Sequence, residues 1–161
     1  MKIVTIAGAR PQFIKSSIVS KAIKKFSELK ETLIHTGQHF DTNMSNIFFE
    51  QFQMHEPLYN LNINNKPQGE MTGLMLDKIE KILMKEKPQG VLVYGDTNST
   101  LAGSLAAVKL NIPIFHVEAG LRSYNRSMPE EINRILTDHI SSLLFCPTEN
   151  AVKILKKEGI E

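Results

Sequence analysis

Two segments, VLVYGDTNST and IPIFHVEAGLRS, each begin with a short run that is apolar at nearly every position and stops at an acidic residue, Asp96 in the first and Glu118 in the second. Val91, Leu92 and Val93, and then Ile112, Ile114, Phe115 and Val117, leave no polar face, and a helical stretch separates the two runs. That combination specifies buried parallel strands. Ligands on open α/β sheets bind outside the carboxyl ends of such strands, where Asp96 and Glu118 fall. A third acidic site, Glu130 in MPEEINR, opens a predicted helix just behind them.

Strand and helix signals alternate along the whole chain, without repeats or a linker. The pattern predicts strand 2–7, helix 13–27, strand 31–36, helix 43–53, an extended piece near 58–63, helix 69–86, strand 90–94, helix 98–110, strand 112–117, helix 129–141, strand 143–146 and helix 148–158. Ile14, Ile18, Ala22 and Phe26 recur about every four residues, as do Met71, Met75, Ile79 and Ile82, and both stripes are expected to face a sheet. Pro88, Pro113 and Pro147 fall between elements, where a missing N–H and a fixed φ end one element cleanly. Gly159 has the position of a helix stop. With 161 residues, 42% hydrophobic and 22% charged, the expectation is one α/β domain with a doubly wound parallel sheet. A crevice made by one such sheet alone lacks its opposite wall.

Charge narrows the partners. A net charge of +2 with both signs interspersed, and no basic arm, argues against nucleic acid and favours a small anionic ligand. The apolar start is shorter than the ~7–15 residues of a signal-peptide core, and no run reaches ~18 apolar residues, so a cytoplasmic protein with no membrane partner is expected. Cys146, the only cysteine, cannot form an intrachain disulfide and reads as a packed thiol. His116 and Glu118 share a strand face, but no third ligand joins them, so no metal and no cofactor are expected.

The first turn, KIVTIAGARPQFIK, runs from strand through Gly8 into a helix, a geometry in which backbone N–H groups and the helix dipole receive an anion. It is neither G-x-G-x-x-G nor a P-loop. Arg10, held between glycine-alanine and proline, is a candidate for bidentate contact with a phosphate or carboxylate, and Lys15 for a second positive charge. Alternatively Arg10 closes a loop and Lys15 is solvated. Asp96, Thr97 or Asn98 can each cap the following helix, and Glu130 or Glu131 can complement a macrodipole. Glu118 is harder to assign to structure, because a strand end before Ala119-Gly120 suits a small or apolar side chain. Arg134 and Asp138 are spaced as an ordinary helix-surface pair, and Glu130 with Arg134 as another. Gln38 and His39, in HTGQHFDTNM, lie in a loop after a strand end.

Taken together, Gly8-Ala9-Arg10-Pro11 with Lys15, TGQHFD from Thr36, YGDTNST from Tyr94, HVEAGLRS from His116 and MPEEINR from Met128 resemble the non-hydrolysing UDP-N-acetylglucosamine 2-epimerase family. Five motifs in one order carry the resemblance from the first strand to the last helix. It implies a GT-B-type enzyme of two Rossmann-like domains with the active site between them, of which residues 1–161 would be the N-terminal domain, the UDP-binding C-terminal domain being absent. It also implies the reaction: UDP is eliminated from C1 to give a 2-acetamidoglucal, then added back with a proton delivered to the opposite face at C2, interconverting UDP-GlcNAc and UDP-ManNAc for surface polysaccharides. On this resemblance Asp96, Glu118 and Glu130 take the acidic catalytic positions, Arg10 and Lys15 contact the UDP-sugar substrate, Gln38 and His39 make regulatory or substrate contacts, and the full-length enzyme is expected to be a homodimer.

Two departures bear on the substrate. The common first motif has Thr and Glu where this chain has Ala9 and Gln12, and the variant G-A-R-P-Q-F-I-K with YGDTNSTLAG also resembles epimerases acting on UDP-2,3-diacetamido-2,3-dideoxy-glucuronate. Asp41 stands where members bound by a second, activating UDP-N-acetylglucosamine carry glutamine. A GT-B glycosyltransferase would share the architecture, but the HVEAGLRS and PEEINR pair favours an epimerase. A non-catalytic nucleotide-sugar-binding module is the remaining alternative, and the isolated domain is expected to be inactive.

Overall fold

A computed structural model describes residues 1–38 and 56–160. The elements are β1 (Lys2–Ala7), α1 (Arg10–Ile23), β2 (Lys30–His35), β3 (Tyr59–Asn60), α2 (Gln68–Glu86), β4 (Gly90–Tyr94), α3 (Asn98–Lys109), β5 (Ile114–Val117), α4 (Pro129–Ile140), β6 (Leu143–Phe145) and α5 (Glu149–Lys157). The helix expected over 43–53, and His39, lie outside the described residues. All six strands pair in parallel in the order β3-β2-β1-β4-β5-β6. The order reverses between β1 and β4, so the fold is Rossmann-like, with a topological switch point where ligands of such sheets bind. Ile6 pairs with Val93 and Tyr94 with Val117, so Gly8, Gly95 and Glu118 leave the sheet at one edge.

Alternation along the strands divides the core. Val4, Ile6, Val91, Val93 and Ile114 meet Met71, Met75, Ile79 and Leu83 of α2 and Ala102, Ala106 and Ala107 of α3. Ile3, Leu92 and Tyr94 project to the other face, against Ile23 and Val19 of α1. The α2 stripe therefore faces the sheet as expected, with Ile82 partly buried and Leu83 fully so.

The stripe on α1 does not. Ile14 and Ile18 point outward, Ile18 being 69% exposed, and Phe26 lies beyond the helix and is exposed. The sheet-facing side is instead Phe13, Ser16, Ser17, Ser20 and Ile23. Ser16 Oγ donates to Phe13 O at 3.2 Å and Ser17 Oγ to Ile14 O at 2.7 Å. Hydroxyls bonded back into their own helix are small and satisfied, so this face can lie against the sheet without an apolar signature. Smaller corrections follow from local chemistry. The helix begins at Arg10, because Pro11 suits the first turn. Strand β5 begins only after Pro113, since Asn111 takes φ +57° and Ile112 N donates to Ala107 O at 2.9 Å. Strand β6 is an edge strand whose Leu143 and Phe145 are about half exposed.

Gly8 permits the tightest approach near the switch point. A Cβ there would stand 2.0 Å from Thr36 Oγ1 and 2.2 Å from Ser99 Oγ, two buried hydroxyls hydrogen-bonded at 2.7 Å. Gly73, inside α2, has nothing within 4 Å of such a Cβ. Gly8→Ala is therefore expected to lower the free energy of urea unfolding by about 1–3 kcal/mol through overpacking. Gly73→Ala is expected to leave it unchanged or raise it by up to ~1 kcal/mol through helix propensity. Equal effects at the two positions would contradict this account of the turn.

Candidate functional site

At the switch point one buried side chain joins the two central turns. Gln12 Oε1 accepts from Gly8 N at 2.7 Å and Ala9 N at 3.0 Å. Its Nε2 donates to Tyr94 O at 2.6 Å, Thr97 Oγ1 at 2.9 Å and Thr100 Oγ1 at 3.0 Å. The turn after β1 is thereby tied to the turn after β4. Gln12 also occupies two of the N–H groups of the turn after β1, those of Gly8 and Ala9, with an acceptor from the chain itself. Exposed Arg10 is the first residue of α1.

Asp96 and Glu118 follow β4 and β5, neighbouring strands of the sheet. Each meets a cation from a different helix. Lys15 Nζ of α1 bonds Glu118 Oε2, and Arg134 Nη2 of α4 bonds Asp96 Oδ2 at 2.5 Å. Both carboxylates keep access to solvent, with side chains 34% exposed for Asp96 and 30% for Glu118. Lys15 is thus Glu118's partner in this structure. Asp96 is not the cap of α3: Thr97 is, its Oγ1 accepting from Thr100 N at 3.4 Å. Asn133 of α4 donates to Asp96 O at 2.9 Å and Asn98 Oδ1 at 3.2 Å, so α4 grips the Asp96 turn by both main chain and side chain.

Glu118 has φ +77°, a left-handed backbone that an ordinary side chain adopts at a cost of about 1–3 kcal/mol. Gly95, at φ +61°, leaves room beside it: a Cβ would stand 3.2 Å from Glu118 Oε2. The left-handed bend also takes Glu118 away from the strand periodicity that would have set it beside His116. His116 is fully buried, its Nδ1 2.7 Å from Asp138 Oδ1 and its Nε2 donating to Gly95 O at 2.7 Å. Its nitrogens are therefore engaged in scaffold contacts, and the described residues contain no cluster of three or more metal-ligating side chains.

Two pairings expected on α4 are different in fact. Asp138 is fully buried and pairs with His116 and Arg122, not Arg134. Arg134 pairs with Asp96 and Glu131, not Glu130. Exposed Glu130 lies in the first turn of α4, one turn before Asn133 and Arg134. Its neighbour Glu131, unremarked by sequence beyond a dipole role, is buried and accepts from Ser123 N at 2.9 Å, Ser123 Oγ at 3.0 Å and Tyr124 N at 2.9 Å. Burial works to raise its carboxyl, and the Ser123 and Tyr124 donors outweigh it, holding it below the usual range. Burial opposes ionisation of Asp138 too, and the hydrogen bonds and charges of His116 and Arg122 prevail in the same direction. Gln38 Oε1 accepts from Ser99 N at 3.0 Å and Ser99 Oγ at 2.7 Å, capping α3. Cys146 is half-buried, and burial with the Asp138 charge pushes its thiol up, away from nucleophilic character.

Comparison with known proteins decides the family. A family model described as UDP-N-acetylglucosamine 2-epimerase matches residues 21–161. The chain belongs to that family. It is 64% identical over 161 residues to a UDP-2,3-diacetamido-2,3-dideoxy-D-glucuronate 2-epimerase of Pseudomonas aeruginosa, covering 100% of this chain and 46% of that protein. A UDP-N-acetylglucosamine 2-epimerase of Methanocaldococcus jannaschii is 56% identical, over 100% of this chain and 44% of its own length. The crystal structure of the M. jannaschii UDP-GlcNAc 2-epimerase in complex with UDP-GlcNAc and UDP superposes with a TM-score of 0.96 over 100% of this chain and 44% of that one. Acinetobacter baumannii MurG, 14% identical with a TM-score of 0.68 over 93% of this chain and 41% of its own, shares the fold alone. The chain spans less than half the length of these relatives. No described helix is long and apolar enough to cross a membrane.

Buried titrating groups around the site give its stability a pH dependence. Burial pushes His35 from 6.5 down to about 4, and Gly37 N donates to its Nδ1 at 2.7 Å, which requires a free lone pair there. Below pH 6.5 the unfolded chain gains a proton at His35 that the folded chain refuses. Stability complete above that pH is therefore lost as pH falls from 6.5 to about 4, by about 3 kcal/mol in all. Asp138 and Glu131, depressed in the fold, add a second loss starting below their ordinary values of 3.8 and 4.5. Urea unfolding across pH 7 to 4 is expected to show a shallower slope for His35→Gln than for the wild type. The same slope in both would remove His35 from this account.

Proposed function

We propose that the chain supplies the acidic wall of the active site of a UDP-sugar 2-epimerase. The observation that carries this reading is the pair of solvent-accessible carboxylates, Asp96 and Glu118, at the carboxyl ends of adjacent parallel strands, each held by a cation. The hydrogen at C2 of the sugar is not acidified by a neighbouring carbonyl, so direct abstraction needs a very strong base. Elimination avoids this. As the C1–O bond breaks, its electron pair leaves with UDP, a base takes the C2 proton, and a C1–C2 double bond forms. In return, the UDP oxygen attacks C1 and a proton reaches C2 from the other face. Two faces call for two proton-handling groups, and positive charge at C1 calls for a nearby carboxylate. Asp96, Glu118 and exposed Glu130 are suited to those roles, and Arg10 and Lys15 to the diphosphate or the sugar. For Lys15 that role means leaving Glu118 as substrate arrives.

Substrate identity has two readings. The family description supports UDP-N-acetylglucosamine. The 64% identity to the diacetamido-glucuronate epimerase, together with Ala9 and Gln12, supports UDP-2,3-diacetamido-2,3-dideoxy-glucuronate. A coupled assay of the full-length protein on both nucleotide sugars separates them. Either way a second, UDP-binding domain would face this one, the assembly would be a cytoplasmic homodimer, and the product would enter surface-polysaccharide synthesis.

Asp96→Asn and Glu118→Gln in the full-length protein are each expected to lower the epimerisation rate by ~10²–10⁴, with the melting temperature nearly unchanged. Activity lost only in step with early melting would make these carboxylates structural. The 161-residue chain is expected to bind UDP weakly and to exchange no proton at C2, because an open wall neither excludes water nor orients the anomeric carbon. Titration calorimetry and NMR in heavy water are the measurements; sub-micromolar binding or C2 exchange above background would contradict this division of labour.

A further inference from the structure

Behind the two carboxylates lies a buried ionic chain to which neither the sequence motifs nor the reaction scheme gives a task. The side chains of His116 and Asp138 have no solvent exposure, and that of Arg122 only 1%. Asp138 uses both oxygens. Oδ1 holds His116 Nδ1 at 2.7 Å, while Oδ2 accepts from Gly120 N at 3.1 Å and Arg122 Nη1 at 2.6 Å. Arg122 is fixed in turn by a bidentate pair to Glu158 at the end of α5, at 2.6 and 2.8 Å.

The two ends of this chain fall beside the two candidate acids. His116 Nε2 donates to Gly95 O, the residue before Asp96. Gly120 N, held by Asp138, is two residues after Glu118, whose left-handed backbone needs outside support. Glu118 N and Ala119 N both donate to Phe145 O, at 3.0 and 3.2 Å, and Gly120 N to Asp138 completes three consecutive anchored amides. Three anchored N–H groups can hold a strained turn that one could not.

We propose that Asp138 is a positioning residue for the reaction: through His116 and Gly120 it sets Asp96 and Glu118 in register across the ends of β4 and β5. It touches no substrate, and the inference rests on the reading of those two carboxylates as the reacting acids. Displacement of a reacting group by about 1 Å costs on the order of 10²-fold in rate, so loss of this anchor lowers kcat more than KM. An asparagine at 138 can accept from Gly120 and Arg122 through its oxygen and donate to His116 Nδ1 through its amide, which leaves the ring's Nε2–H on Gly95 O. An alanine can do neither.

The test is steady-state kinetics of the full-length protein on its nucleotide sugar, well below each variant's melting temperature. Asp138→Ala is expected to lose tenfold or more in kcat with KM within about threefold, and Asp138→Asn to recover kcat to within about threefold of wild type. Wild-type kcat in Asp138→Ala, a loss confined to KM, or no recovery in Asp138→Asn overturns the proposal. If Asp138→Ala does not fold, His116→Asn, whose amide reaches Asp138 but not Gly95, is compared with His116→Gln, whose amide reaches Gly95. The lower kcat is expected in His116→Asn, and equal values overturn the proposal. Asp96→Asn and Glu118→Gln, run alongside, separate the two failures: if they stay active the catalytic reading falls, and if they lose activity while the anchor variants do not, only the positioning role falls.

Discussion

The site depends on a single amide. Gln12 faces two backbone donors on one side and a backbone carbonyl on the other, and its amide offers an acceptor oxygen and a donor nitrogen on separate atoms, one for each side. A carboxylate in the same place would accept from Gly8 and Ala9 but confront Tyr94 O with an oxygen. With Gln12 in place, the N–H groups of Gly8 and Ala9 and the carbonyl of Tyr94 are matched, and the turns after β1 and β4 are tied together. Leaving such a group unmatched costs about 1–3 kcal/mol, which is large beside the stability of a domain of this size. The amides of Gly8 and Ala9, which a Rossmann-like turn usually offers to a ligand, are occupied, and the charged groups of the crevice lie on its rim.

Those rim side chains are paired with one another. Lys15 with Glu118 and Arg134 with Asp96 orient both acids, while solvent on their open sides keeps each pair weak, of the order expected for exposed ion pairs, about 0–1 kcal/mol. On the proposed function, a substrate diphosphate that draws Lys15 toward itself loses little to the broken contact. The strong pairs lie one layer deeper, in Asp138, Arg122 and His116, where removal of a partner would strand a buried charge.

Much of this was legible in the sequence, for physical reasons. Strands buried on both faces are apolar at nearly every position, so β4 and β5 declared themselves despite His116, and the residues that end them had to lie at one sheet edge. The prolines at 88, 113 and 147 marked boundaries within a few residues. What stayed hidden was polar and buried. The sheet-facing side of α1 is serine, because hydroxyls that bond back to their own helix pack like small apolar groups. Asp138 resembled a surface partner of Arg134 by spacing alone, since i,i+4 geometry is silent about which face of α4 is covered. Glu130 and Glu131 are adjacent and chemically identical, yet one is exposed and the other binds three donors of the 123–124 turn. Only the path of the chain between β5 and α4 separates them. The tell-tale for Gln12 was its departure from the common glutamate, which marked the position without giving its partners.

The left-handed backbone at Glu118 connects these observations. A strand that continued normally would have turned residue 118 to the face of His116, into the buried network. Positive φ redirects it toward α1 and Lys15 and out to solvent. The cost of that conformation is met by amides anchored to Phe145 and Asp138, one on the neighbouring strand β6 and one on α4. Glycine would adopt the same backbone without strain, as Gly95 and Gly120 do nearby. Glu118 is thus a glutamate held against its preference at the mouth of the switch-point crevice, on the strand end next to that of Asp96.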